Sequence, residues 1–283
     1  MDFRVIKADE ITKVVKQLFM DCNYYIGDDI TEAFNKALET EKSEVGKQVI
    51  CQLLENNKIA AEEQIPICQD TGMAVLFVKY GDKVVVEGGS FHNAVENGVR
   101  QAYKEGYLRK SVVNDPVFDR INTKDNTPAI IHTEIVPGNK ISIVAGGKGF
   151  GSENMSAIKM ITPSYGKQGV IDFVLDTVRK AGPNPCPPMV VGVGIGGTFE
   201  KAAQLAKKAS FRAINTSNPD PRYAELEEYL YQEINKMGFG PAGLGGTTTS
   251  LGVNIETYPT HIAGMPVAVN ICCHAARHKS ATI

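Results

Sequence analysis

Apolar residues recur at helical spacing from the start of the chain. Ile11, Val14, Val15, Leu18 and Phe19 line one side of residues 8–21. Asp29 and Thr31 precede EAFNKALETE and mark a second helix start, and Val45, Val49, Ile50, Leu53 and Leu54 carry a third helical pattern over 44–57. The pattern breaks at IPICQDTG (65–72). MAVLFVKYG and KVVVEGGS then read as strands, and residues 91–107 as a helix with Phe91, Val95, Val99 and Tyr103 on one face. AIIHTEIV and KISIVAGG alternate as strands, and Pro137-Gly138 between them signals a hairpin. A helix over 166–180 follows, then a buried strand in MVVGVGIGGT. FEKAAQLAKKAS and AELEEYLYQEINKMG are helices, the latter closed by Gly238. Interleaved helices and strands predict an α/β (α+β) fold, with mixed β-sheets flanked by helices and a helical N-terminal region. With no repeat, low-complexity tract or linker, residues 1–283 are read as a single domain.

Composition removes several function classes. Thirty basic residues against 32 acidic ones give a net charge of −2, so no nucleic-acid partner is expected. No apolar run approaches the ~18 residues of a membrane span. Charged residues interrupt the first segment where a signal peptide needs an apolar stretch, so a cytoplasmic location and no membrane partner are expected. In that compartment the six cysteines are reactive, metal-binding or buried inert thiols rather than disulfides. The absence of a CxxC pair speaks against a zinc ribbon or a ferredoxin-type cluster.

Two glycine-rich turns invite a nucleotide-binding reading. Gly192, Gly194 and Gly197 match G-x-G-x-x-G between a strand and a helix, the context of the dinucleotide fingerprint. The acidic residue expected about 20 residues on is missing from FRAINTSNPDP, so a tight strand-to-helix turn outweighs it. GGKGFGS (146–152) departs from a P-loop because Gly149 follows Lys148. Its amides can still cradle a carboxylate.

Three cysteines stand in loops. Cys68 precedes Gln69-Asp70-Thr71-Gly72. Cys186 lies between Pro185 and Pro187, which fix its backbone. Cys273 follows Cys272 and precedes His274, Arg277 and His278. Three thiolates can hold three corners of a [4Fe–4S] cube and leave the fourth iron to substrate as a Lewis acid. Spacing alone implies no such geometry, and inert thiols are the alternative; Cys22 and Cys51 fall within helical patterns.

Six segments together resemble the α subunit, or N-terminal half, of class I iron–sulfur fumarate hydratases and L-tartrate dehydratases. They are PICQDTG (66–72), NTPAIIH (126–132), GGKGFGSENMS (146–156), PNPCPPMVVGVGIGGTFEKAA (183–203), GLGGTTT (243–249) and VNICCHAARH (269–278). The resemblance implies a [4Fe–4S] cluster on Cys68, Cys186 and Cys273, with Cys272 the competing thiol of the tandem pair. It also implies substrate contacts from Gln69, Asp70, Arg109, Gly151 and His261, with Asp70 in proton relay. Taken alone, Arg109 could be an exposed helix-end arginine and His261 a loop histidine. The resemblance further implies a β subunit that supplies the rest of the site, an α2β2 assembly, and a dicarboxylic acid substrate. Fumarate hydration is the expected reaction and L-tartrate dehydration the alternative. A nucleotide-dependent oxidoreductase using the 192–197 turn and a non-catalytic iron–sulfur protein are the rivals from other classes.

Overall fold

The computed structural model describes residues 3–283. In chain order it contains β1 (Arg4–Lys7), α1 (Ala8–Tyr24), α2 (Asp28–Thr40), α3 (Glu44–Glu63), β2 (Met73–Gly81), β3 (Val84–Glu87) and α4 (Phe91–Glu105). Next come β4 (Ile130–Val136), β5 (Ile141–Lys148), α5 (Phe150–Glu153), β6 (Ala157–Ile161), α6 (Gly166–Ala181), β7 (Met189–Gly196) and α7 (Phe199–Ala209). The chain ends with α8 (Pro221–Asn235), β8 (Ser250–Tyr258), β9 (Met265–Cys272) and β10 (Lys279–Thr282). Mixed sheets flanked by helices make this an α/β protein, as the interleaved pattern implies. Two compact units emerge. One gathers the chain up to Ile26, Asn57–Gly149 and Arg277–Ile283; the other gathers Gly27–Asn56 and Phe150–Ala276.

In the first unit, β10, β5, β2 and β4 form a four-stranded sheet in that order, and β1 pairs with β3. Helices α1 and α4 lie together because Gly98 faces α1, where a Cβ would come within 2.7 Å of Val15 Cβ. Ile11, Val15 and Phe19 meet Val95, Val99 and Tyr103 in a core that also takes Leu76 and Val78 of β2 and Ile141 and Ile143 of β5. The hairpin expected from Pro137-Gly138 does not form. Strand β2 lies between β4 and β5, parallel to the first and antiparallel to the second. The turn instead wraps the end of β2: Gly81 N donates to Lys140 O and Lys83 N to Gly138 O, both at 2.9 Å.

In the second unit the sheet order is β6-β9-β7-β8. The central strand β7 is buried throughout. Its two faces are built differently. Val191, Val193 and Ile195 pack with Val174 and Val178 of α6 and Leu226, Leu230 and Ile234 of α8. Gly192 and Gly194 face α7, whose Ala206 and Ala202 carbonyls would lie 2.2 and 2.1 Å from an added Cβ. Helix α2 begins at Asp28 rather than after Thr31. Asp29 is thus in its first turn, where a carboxylate suits the helix dipole, and its Oδ2 also accepts from Ile214 N at 2.9 Å.

Candidate active site

The loop that leads into β2 carries Cys68, Gln69 and Asp70. Every carbonyl from residue 70 to 72 is tied down from behind. Arg277, 4% exposed, donates through Nη2 to Asp70 O and through Nε to Gly147 O at 3.3 Å. The Tyr103 hydroxyl lies 3.0 Å from Thr71 O and 2.8 Å from Gly72 O, and burial pushes its pKa well up. Asn126 Nδ2 donates to Gly72 O at 3.1 Å. A buried polar network of this kind is rigid in a low-dielectric interior. Within the loop Asp70 Oδ1 accepts from Gly72 N at 3.0 Å, an Asx turn. Gly149 packs close against the same carboxylate, since a Cβ there would sit 3.1 Å from Asp70 Oδ2. The Cys68 thiol is half-buried and 3.5 Å from Gln69 Oε1.

Arg109 stands beside this loop through its backbone. Thr71 Oγ1 donates to Arg109 O at 2.9 Å, while the side chain is exposed. In the first unit the structure thus places Cys68, Gln69, Asp70 and Arg109 on one stitched pair of loops.

In the second unit the segment that carries Cys186 lies beside the one that carries Cys273. His274 N donates to Cys186 O at 3.3 Å. Cys186 has φ +54°, a left-handed conformation uncommon for a side chain of this kind, held between Pro185 and Pro187. Such local strain is tolerated where the surroundings over-determine it, often at functional sites. The tandem pair is split by the end of β9: Cys272 is paired with Val190 in the sheet and buried, and Cys273 is just beyond and half-buried.

Gly151 lies in α5 with open space where a Cβ would be. His261 is not brought to Cys273. It sits in the exposed β8–β9 loop, with Nδ1 accepting from Ala263 N at 3.2 Å. The whole of β9 separates it from Cys273, roughly 23 Å of strand at about 3.3 Å per residue.

Three further features bear on the sequence-based reading. The G-x-G-x-x-G match is accounted for by α7 packing on β7, as given above. Among the described residues, no group of three or more His, Cys, Asp or Glu side chains is placed to hold a single metal ion. Nor is any described helix long and apolar enough to cross a membrane.

A family model described as Fumarate hydratase (Fumerase) matches residues 12–282. The chain belongs to the fumarate hydratase family. Among its relatives, the protein named putative L(+)-tartrate dehydratase subunit alpha of Methanocaldococcus jannaschii is 42% identical over 272 residues, 95% of each chain. The L(+)-tartrate dehydratase subunit alpha of Escherichia coli K12 is 32% identical over 276 residues, 95% of this chain and 89% of the relative. Membership of the fumarate hydratase family makes the chain part of a hydro-lyase.

The residues present suit the iron–sulfur chemistry expected of this family. Cys68, Cys186 and Cys273 form no disulfide, and each keeps at least part of its surface accessible. Cys22 does not compete: burial pushes its thiol up to about 11, which disfavours the thiolate a metal requires. The polar side chains behind the 68–72 loop, namely Tyr103, Asn126 and Arg277, escaped the sequence-based reading. Only the location of Asn126 and Arg277 inside family-like segments hinted at them.

Proposed function

We propose that the chain is the α subunit of an iron–sulfur hydro-lyase acting on a four-carbon dicarboxylic acid, with L-tartrate the substrate the relatives favour. The nearly full-length similarity to two tartrate dehydratase α subunits carries this reading. Fumarate hydration to L-malate is the second reading, favoured by the description of the matching family.

In this proposal Cys68, Cys186 and Cys273 hold the [4Fe–4S] cluster. When bound, the cluster supplies a Lewis-acidic iron for the departing or entering hydroxyl. Arg109 grips a substrate carboxylate, a task its planar fork suits. Gln69 donates from the same loop. Asp70 carries the proton relay, its carboxylate oriented by the bond from Gly72 N to Oδ1. Gly151 offers its backbone without a side chain in the way. His261, a strand's length from Cys273, joins the site from a neighbouring α chain in an α2β2 assembly. A β subunit supplies the remaining carboxylate-binding groups.

Steady-state rates with the co-purified β subunit on L-tartrate, fumarate and L-malate test the assignment. Dominant turnover of L-tartrate supports the first reading and dominant turnover of fumarate the second. A protein that binds no iron and turns over none of the three sinks both. Cys273→Ser is expected to lose iron, whereas Cys272→Ser retains it because Cys272 is a buried residue of β9.

A further inference from the structure

Asn126 is fully buried, and all of its amide bonding is directed at two loops. Oδ1 accepts from Ser111 N at 2.8 Å and Val112 N at 3.2 Å, and Nδ2 donates to Gly72 O at 3.1 Å. Backbone amides only donate and a carbonyl only accepts, so the partners themselves dictate which way the amide points. Its φ of +63° is one that asparagine tolerates better than most residues. The flanking turn is pinned. Asp125 Oδ1 accepts from Thr127 N and Oγ1 at 3.0 and 2.8 Å, and Arg100 Nε donates to Asp125 Oδ2 at 2.8 Å.

Ser111 is two residues from Arg109, and Gly72 two from Asp70. We propose that Asn126 is a positioning residue that sets the carboxylate grip of Arg109 in register with Asp70. The inference rests on the diacid-binding reading of those two residues. Thr71, bonded to the Arg109 carbonyl, forms a second and shorter link between the same loops. With two links, the loop that carries Arg109 cannot slide along the loop that carries Asp70. Cutting either link loosens the register of Arg109 while leaving the Cys68 segment held by Tyr103 and Arg277.

Asn126→Asp keeps the acceptor and removes the donor to Gly72. In the assembled holoenzyme it is expected to raise KM for the diacid about tenfold while kcat falls less. Iron content and the visible spectrum stay those of the parent. Placed on Arg109→Ala, the same change adds little, because the group it positions is gone. Thr71→Val, nearly isosteric, shows the same KM-selective loss and keeps the test open if Asn126→Asp does not fold. Effects that add fully in the Arg109→Ala background overturn the proposal, as does a loss of iron in parallel with activity. An unchanged KM in Arg109→Ala itself overturns both the proposal and the diacid reading of Arg109.

Discussion

Glu41 is 2% exposed and still ionised. Burial alone would raise its pKa. Against that, its carboxylate accepts from the backbone amides of Lys42, Ser43, Thr247 and Thr248 and from Thr247 Oγ1, at 2.8–3.1 Å. The donors win and hold Glu41 at about 2, well below its ordinary 4.5. The loop it anchors leads back to a candidate ligand. Ala242 N donates to Pro187 O at 2.8 Å, one residue from Cys186. A depressed folded-state pKa gives stability that is complete above the unfolded value and is lost as pH falls through the folded one. Glu41 therefore contributes on the order of 3 kcal/mol at neutral pH, withdrawn between about pH 4.5 and pH 2. Glu41→Gln turns an amide NH2 toward backbone donors. It is expected to lower the urea midpoint clearly at pH 7 and hardly at all near pH 2. Equal midpoints for parent and variant at pH 7 contradict this account. No linear reading exposes such a residue, because Thr247 lies 206 positions away. Cys186 is the opposite case, since the prolines that fix it are its neighbours.

At the scale of elements, local periodicity was reliable and pairing was not. Helices α1, α4, α6 and α7 and strands β2 and β7 follow from apolar spacing, which their own side chains set. The partner of a strand is set by the rest of the chain. Pro137-Gly138 has the chemistry of a turn and makes one, yet β2 occupies the place where β5 would pair with β4. β6 is short, and on it Lys159 and Met160 are exposed, so its pattern carried no alternation to read. The GVGIG run shows how one motif hides two meanings. Read along the chain it resembles a nucleotide turn; read across β7 it is a valine–isoleucine face and a glycine face. Gly194→Ala would drive a methyl group into the Ala202 carbonyl at 2.1 Å, and this contact is backbone that cannot swing aside. Overpacking of this kind typically costs about 1–3 kcal/mol. The variant is expected to unfold at lower urea, with α7 amides exchanging faster than those of α6. A neutral effect on both would show that α7 is free to move off the sheet.

At the scale of the whole molecule the constraint is charge. A dicarboxylate presents two anionic ends, and each needs a donor when it leaves water. Among the candidate site residues only Arg109 is permanently cationic. Arg277 does not help, because it is buried and directed at the Asp70 and Gly147 carbonyls. In the proposed function the second carboxylate is met by groups of the β subunit, in keeping with relatives that are named as α subunits. The expected result is that iron-loaded α chain alone has no hydro-lyase activity. Its diacid affinity is weak and falls steeply with added salt, as suits a single exposed arginine. Addition of the β subunit restores turnover and lowers the salt dependence of KM, since the second contact is made in a site that excludes water. Substrate protection offers a second measure: the diacid should raise the melting temperature of the complex and leave that of the isolated α chain nearly unmoved. Full turnover by the α chain alone would mean that its own residues meet both carboxylates, and Arg109 could then not be the sole cation of the site.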